Sequence, residues 1–323
     1  MAEPILNQPQ FQDADKAREH LEALRWPHGP VCPHCGSVRA PLALEGKSYR
    51  PGLYKCKDCY EQFTVTVGTV FERSKIALNV WLQAVHLMCA SKKGISAKQL
   101  ERMLGVTYKT AWFMAHRIRE AMLDEVAGQM GGAGKIVEAD ETYWGSETGS
   151  KAGSKKSGAR KSGAALKDAN KVVGLVERSG KVRSFHVPSV TGKNLKTVLQ
   201  SQIHPDTHVM TDSSPRYNQL KREHGFAAYD QVNHSKAEYV RGIAHTNTIE
   251  SYFAIMKRGL VGTFHHVAPQ HLQRYCTEFD FRYNSRTALG YSDEDRAKLA
   301  LKGIAGKRLT YRRIGGQEVP YAG

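Results

Sequence analysis

The sequence predicts a multidomain α+β protein: an N-terminal helix and four-cysteine zinc ribbon, a helix-turn-helix, then an α/β domain. Three observations carry that expectation. Two CxxC pairs stand 20 residues apart, two short helical patterns meet at a glycine, and the second half follows a β-β-β-α-β-α order. The chain has 323 residues, enough for two or three separate cores, and its 41% hydrophobic content argues against wholesale disorder. Lys and Arg number 47 against 31 acidic residues, a formal net charge of +16. A field of that sign attracts a polyanion, and nucleic acid is the commonest one. Charge alone leaves open a ribosome-associated or non-specifically adhesive protein.

Residues 13–25, DADKAREHLEALR, carry Leu21 and Leu24 on one side of a short amphipathic helix, which WPHGP then breaks. The opening residues lack a basic start followed by an apolar run, so no leader is expected. No window approaches the roughly 18 apolar residues of a membrane span, so no membrane partner is expected. Paired thiols in a reducing cytoplasm point to metal rather than disulfides. Cys32, Cys35, Cys56 and Cys59 form two knuckles that suit one tetrahedral Zn²⁺ at about 2.3 Å per bond. Four thiolates close the shell, so this ion is structural. A redox dithiol is the competing reading, and the double spacing argues against it. His34 is read as a solvent-facing loop residue, and Cys89 and Cys276 as core side chains.

Helical periodicity returns at 76–90, 96–104 and 107–123. Within 95–122, Ser96 can cap one helix, Gly105 supplies a turn and Thr107 can cap the next. These are helix-turn-helix proportions, and Tyr108, Lys109, Arg117 and Arg119 are expected on the face that meets DNA. An ordinary helical hairpin shares the pattern; the ribbon beside it and the basic charge favour DNA.

GQMGGAGK near 127–135 reads as a linker. A strand-like KIVEADETYWG follows at 135–145, then a basic Ser/Gly/Lys/Ala loop at 146–167. Strands are expected at 171–178 and 181–188, turning at Ser179-Gly180, with a helix at 191–203 and a strand at 207–212. Helices should cover 246–258 and 269–283. The expected domains are 1–70 (helix and ribbon), 71–127 (helix-turn-helix), 128–290 (α/β domain) and a basic tail at 291–323, loosely held after about residue 303.

Asp140 lies in the first of these strands and Asp212 ends a later one. Carboxylates at the ends of neighbouring strands can converge. With Glu250, on the helical run TNTIESYFAIMKRGL, they could hold two Mg²⁺ or Mn²⁺ ions, hard cations suited to oxygen ligands. Most acidic residues are merely solvated charges, and Asp140 has rivals in Glu138, on its own strand face, and Glu141, on the other. Asn247, Glu250 and Lys257 share one helix face, so Lys257 could offer a cation to a phosphate near the carboxylates, with Arg258 beside it.

These residues also carry a resemblance. LEALRWPHGPVCPHCGS, YKCKDCYEQFTVTVGTVFERSKI, QLERMLGVTYKTAWFMAHRIREAM, VEADETYWG, VMTDSSPRY, VNHSKAEYV, HTNTIESYFAIMKRGLVGTFHHV and FRYN, in this order, resemble bacterial insertion-sequence transposases of the DDE type. The group is the one with an N-terminal zinc ribbon and an ISXO-like transposase domain. The resemblance implies an RNase H-like catalytic core, with Asp140, Asp212 and Glu250 as the acidic triad and Lys257 trailing it. Some relatives use Asn as the third ligand, which makes Asn247 the alternative; a carboxylate binds Mg²⁺ more strongly than an amide, which favours Glu250. His234 and His245 fall in matching segments, and a hydrogen-bonded structural role competes for both. The implied function is metal-dependent strand cleavage and strand transfer at the ends of a cognate insertion sequence. Its partners would be double-stranded DNA, as terminal inverted repeats and target, and at least a second copy in the DNA complex. The protein would reside in the cytoplasm at the nucleoid. A DNA-binding regulator derived from a transposase, or another RNase H-like nuclease such as a junction resolvase, are the competing classes.

Overall fold

A computed structural model describes residues 4–124, 128–145, 169–223, 225–232 and 245–310. The chain divides into two units, one with residues up to 90, 96–122 and from 293 onward, the other with 91–95 and 123–292.

In the first unit α1 (Pro9–Gln12) leads into α2 (Ala14–Arg25), where the Asp13 carboxylate accepts from the Lys16 amide as an N-cap. Ala17 and Leu21 form its buried side. A three-stranded antiparallel sheet follows in the order β1 (Leu42–Ala43), β2 (Tyr54–Lys55), β3 (Gln62–Phe63). These strands are two residues each and bury little by themselves. Trp26 packs edge-on against both Tyr54 and Phe63 and supplies an apolar base. Next comes α3 (Leu78–Ala90), which buries Trp81, Leu82, Val85 and Met88. Ser96 and Gln99 form a reciprocal capping box at the start of α4 (Ala97–Leu104). Gly105 ends α4 in the left-handed region at φ 65°, a conformation that costs least without a Cβ. Thr107 then caps α5 (Tyr108–Ala121) through the Thr110 amide.

The second unit is built on a five-stranded mixed sheet. β4 (Ile136–Trp144), β5 (Asn170–Glu177) and β6 (Val182–Val187) form an antiparallel meander; α6 (Gly192–Gln202) leads to β7 (His208–Asp212), and α7 (Asn218–Arg222) to β8 (Ala228–Val232). The strand order is β6-β5-β4-β7-β8, with β4, β7 and β8 parallel. Strand alternation splits the apolar residues between two cores. Val137, Ala139, Val173 and Leu175 meet Leu195 and Leu199 of α6. On the other face Val172 and Val176 meet Ile249 and Phe253 of α8 (Asn247–Gly259), backed by Leu272 and Phe279 of α9 (Pro269–Asn284). The expected hairpin turn is present, with Ser179 at φ 58°. β8 was not anticipated, because AYDQV lacks a run of β-branched or alternating apolar residues; pairing with β7 creates it.

One expectation is corrected. The segment from 291 is not a tail from its start but includes α10 (Asp293–Lys302), in the first unit. Ala297, Ala300 and Leu301 share the i, i+3, i+4 spacing of a helix face, and all three are buried. The basic segment 146–167, His234 and residues 311–323 lie outside the described residues. Among the described residues no helix is long and apolar enough to cross a membrane.

Candidate metal centres and nucleic-acid surface

The sulfurs of Cys32, Cys35, Cys56 and Cys59 all lie within 4.8 Å of one another. Cys32 faces Cys59 and Cys35 faces Cys56, each at 3.7 Å. A tetrahedron with metal–sulfur bonds of about 2.3 Å has edges of about 3.8 Å, so the cluster fits one structural Zn²⁺. Local backbone shapes each knuckle. The Gly36 amide donates to the Cys32 carbonyl with Gly36 at φ 74°, and the Cys56 amide donates to Glu61. Amides of Cys59 and Asp58 directed at the Cys56 sulfur pull its pKa down to about 6, which favours the thiolate a metal needs. His34 is exposed, and Cys89 and Cys276 are buried.

Two of the acidic residues lie on adjacent parallel strands, Asp140 in the middle of β4 and Asp212 at the end of β7. The parallel ladder pairs Ile136 with His208, Val137 with Val209 and Glu138 with Met210. Two residues further in the same register, Asp140 comes level with Asp212. Asp140 is half-buried, and its pKa is pushed up to about 7. Burial is the largest cause, and the charges of Glu141, Asp212 and Glu250 add to it; the Glu141 amide, donating to Oδ1 at 2.8 Å, opposes it. Asp212 Oδ1 accepts from the Ser214 amide at 3.0 Å, which holds the carboxylate at the strand's exit turn. Glu250 is exposed in the first turn of α8 and accepts from the Thr246 hydroxyl at 3.1 Å. Asn247 opens the same helix, also exposed, and Lys257 and Arg258 are exposed in its last turn. The oxygens of Asp140, Asp212 and Glu250 are not drawn within 4.8 Å of one another as the cysteine sulfurs are. The donor set nonetheless fits a hard divalent ion: three carboxylates that offer oxygen ligands, on two adjacent strands and the helix packed over them.

The rival carboxylates have other duties. Glu141 points to the opposite face, as alternation requires, and accepts from Arg216 at 2.6 Å and from the buried Tyr217 hydroxyl at 2.8 Å. Glu138 is wholly buried against the start of α8. His245 approaches Glu138, with Nδ1 at 3.2 Å from Oε1. Sequence reasoning missed Arg178, Arg216 and Tyr217 because their partners lie far off in the chain. It also passed over Gly174, whose place inside a strand was a legible sign of close approach. Gly174 pairs with Asp140, and a Cβ there would sit 2.7 Å from both Ile249 and Phe253 of α8.

On the first unit, Tyr108 and Lys109 are exposed at the start of α5, and the Lys98 ammonium lies 4.9 Å over the Tyr108 ring. Arg117 and Arg119 correct the expectation, for both are buried, at 8% and 2% exposure. Arg117 donates to the carbonyls of Glu72 and Leu309 and stacks on Phe113. The reason is packing. From Ala111 on, α5 is covered by α3, α4 and α10, so a face that periodicity leaves polar is filled by tertiary neighbours.

Residues 130–284 match the family described as ISXO2-like transposase domain, and residues 12–62 match the transposase zinc-ribbon domain. Over 279 residues the chain is 30% identical to a protein of Halobacterium salinarum described as an uncharacterized protein in transposable element ISH50, covering 84% of this chain and 91% of that one.

Proposed function

The chain belongs to the IS1595-type transposases, and on that premise we propose that it cuts and rejoins DNA strands at the ends of a cognate insertion sequence. The observation that carries this reading is the placement of Asp140 on β4 beside Asp212 at the end of the neighbouring parallel strand β7, with Glu250 on the helix packed over the same sheet face. The sheet order, an antiparallel meander extended by two parallel strands, supports an RNase H-like core of DDE type.

Asp140, Asp212 and Glu250 would hold Mg²⁺ or Mn²⁺, with Asn247 as the alternative third ligand. Two such ions, when bound, supply activation of a water or 3′-hydroxyl and stabilisation of the leaving oxygen. Asp140 and Asp212 sit on rigid neighbouring strands, which fixes their separation without loop ordering. Glu250 comes from a helix packed on the same sheet face as Asp140, and can adjust through its exposed side chain. Lys257 and Arg258, in the last turn of that helix, would meet phosphates of the strand being cut. No Ser or Tyr nucleophile is required, since water and the 3′-hydroxyl attack in turn.

The ribbon and the α4–α5 helix-turn-helix would bind the terminal inverted repeats, with Tyr108 and Lys109 on the contacting face. Helices of this type read base edges with their N-terminal residues, the part of α5 that is exposed. Pairing of two element ends requires at least a dimer in the DNA complex, acting in the cytoplasm at the nucleoid.

The test is Mg²⁺-dependent cleavage and strand transfer on labelled element ends, comparing wild type with Asp140→Ala, Asp212→Ala, Glu250→Ala and Asn247→Ala. Near-complete loss is expected for the first three and a smaller loss for the last. Reversal of the last two would make Asn247 the third ligand. Wild-type protein that binds the ends but never cuts them with either metal would sink the enzymatic reading.

A further inference from the structure

Glu138 stands two residues before Asp140 on β4, and its side chain is 0% exposed. A buried carboxylate is costly unless every lone pair is engaged. Here Oε2 accepts from the amides of Thr248, at 2.9 Å, and Ile249, at 3.1 Å, while Oε1 accepts from the Thr248 hydroxyl at 2.9 Å and from Arg178 Nε at 2.6 Å. Two carboxylate oxygens offer about four acceptor positions. Four donors fill them, so Glu138 has none to give a cation.

The donors are informative. Thr248 and Ile249 are the second and third residues of α8, whose first amides have no partner within the helix. The residue before the helix, Thr246, makes no side-chain cap bond; its hydroxyl donates to Glu250 instead. Glu138 therefore does from a strand what a capping residue does locally, and its charge lies at the positive end of the helix dipole. Arg178 extends the grip, since its Nη2 also donates to the His245 carbonyl at 3.0 Å, just ahead of α8. His245 Nδ1 is within ion-pair reach of Glu138 Oε1 but lacks hydrogen-bond geometry.

We propose that Glu138 is the positioning residue of the acidic site: its carboxylate grips the first turn of α8 and so sets where Asn247 and Glu250 stand relative to Asp140. As a statement about ligand placement, this rests on the metal-dependent reading of that site. Glu138 and Asp140 leave the same face of one strand, one to hold the helix and the other to meet what the helix carries.

The test uses full-length, zinc-loaded protein without DNA. Mn²⁺ binding is followed by the loss of the free-ion electron paramagnetic resonance signal, together with amide exchange and thermal unfolding, for Glu138→Gln, Glu138→Ala and Asp140→Ala. Glu138→Gln keeps the size and one oxygen for the helix amides. It should fold, exchange Thr248 and Ile249 faster, and bind Mn²⁺ about 10-fold more weakly, with Glu138→Ala approaching a loss of about 100-fold. Unchanged Mn²⁺ affinity in folded Glu138→Gln overturns the proposal. So does a loss of one bound ion with the α8 amides still protected, which would make Glu138 a ligand. Should Asp140→Ala bind Mn²⁺ like wild type, the metal reading itself fails. Exchange at Thr248 and Ile249 in Glu138→Gln then decides the grip alone, with unchanged exchange refuting it.

Discussion

Asp140 on β4 and Asp212 at the end of β7 each stand two residues beyond Glu138 and Met210, the last pair of the parallel β4–β7 ladder, and the Asp140 carboxyl is pushed up to about 7, chiefly by burial. A half-buried carboxylate, with further carboxylates nearby, works against the metal-free fold.

The first prediction follows from the sign of that shift. A carboxyl whose folded pKa lies above its unfolded value of about 3.9 stabilises the fold fully below that value and loses the contribution as pH rises through about 7. Asp140→Asn should therefore stabilise the metal-free protein near pH 8 by about 1–3 kcal/mol, and the gain should vanish below about pH 4. Added Mg²⁺ should raise the melting temperature of wild type but not of Asp140→Asn. Thermal melts across pH with and without Mg²⁺ measure both effects, and equal melting curves at both ends of the pH range would refute the raised Asp140 carboxyl.

Gly174→Ala should displace α8. The new Cβ would meet Ile249 and Phe253 at 2.7 Å, closer than packed atoms tolerate. A stability loss of about 1–3 kcal/mol is expected in urea unfolding, with partial recovery when Ile249→Val is added. Because Gly174 pairs with Asp140, weaker metal binding should accompany the loss. Additive losses in the double variant would show that the contact with Ile249 is not the cause.

Cys56→Ser should remove the structural ion. Metal analysis should find one Zn²⁺ per chain in wild type and less than about half of that in the variant, with loss of ordered structure in the ribbon. Cys276→Ser, in the second unit, should keep its zinc. Equal zinc content in all three proteins would rule out the four-cysteine site.

Lysine and arginine on α5 should separate by burial. Lys109→Ala and Tyr108→Ala should weaken binding to element-end DNA by about 5- to 50-fold with unchanged melting, and Lys109→Ala should lower the salt dependence as one phosphate contact is lost. Arg117→Ala should instead lower stability by about 2–4 kcal/mol, because its guanidinium fills a buried site between two carbonyls. Binding measured beside melting distinguishes them. A stable Arg117→Ala defective only in DNA binding would contradict the buried assignment.

The sequence by itself determined whatever depends on short-range spacing. The two CxxC knuckles, the capping residues Ser96 and Thr107, the turn at Gly105 and the hairpin at Ser179-Gly180 all follow from local geometry. Tertiary structure alone decided which polar groups are spent inside the fold. Helical periodicity could not show that Arg117 and Arg119 would be covered by neighbours on several sides of α5, nor that the segment after 291 would bury a helix face. Strand alternation set Glu141 apart but could not separate Glu138 from Asp140 on the shared face: Glu138 is spent on the amides of a helix more than 100 residues away, and Asp140 is not. The physical reason is that a carboxylate's role is set by which donors and charges surround it, and those arrive only when strands and helices distant in the chain pack together.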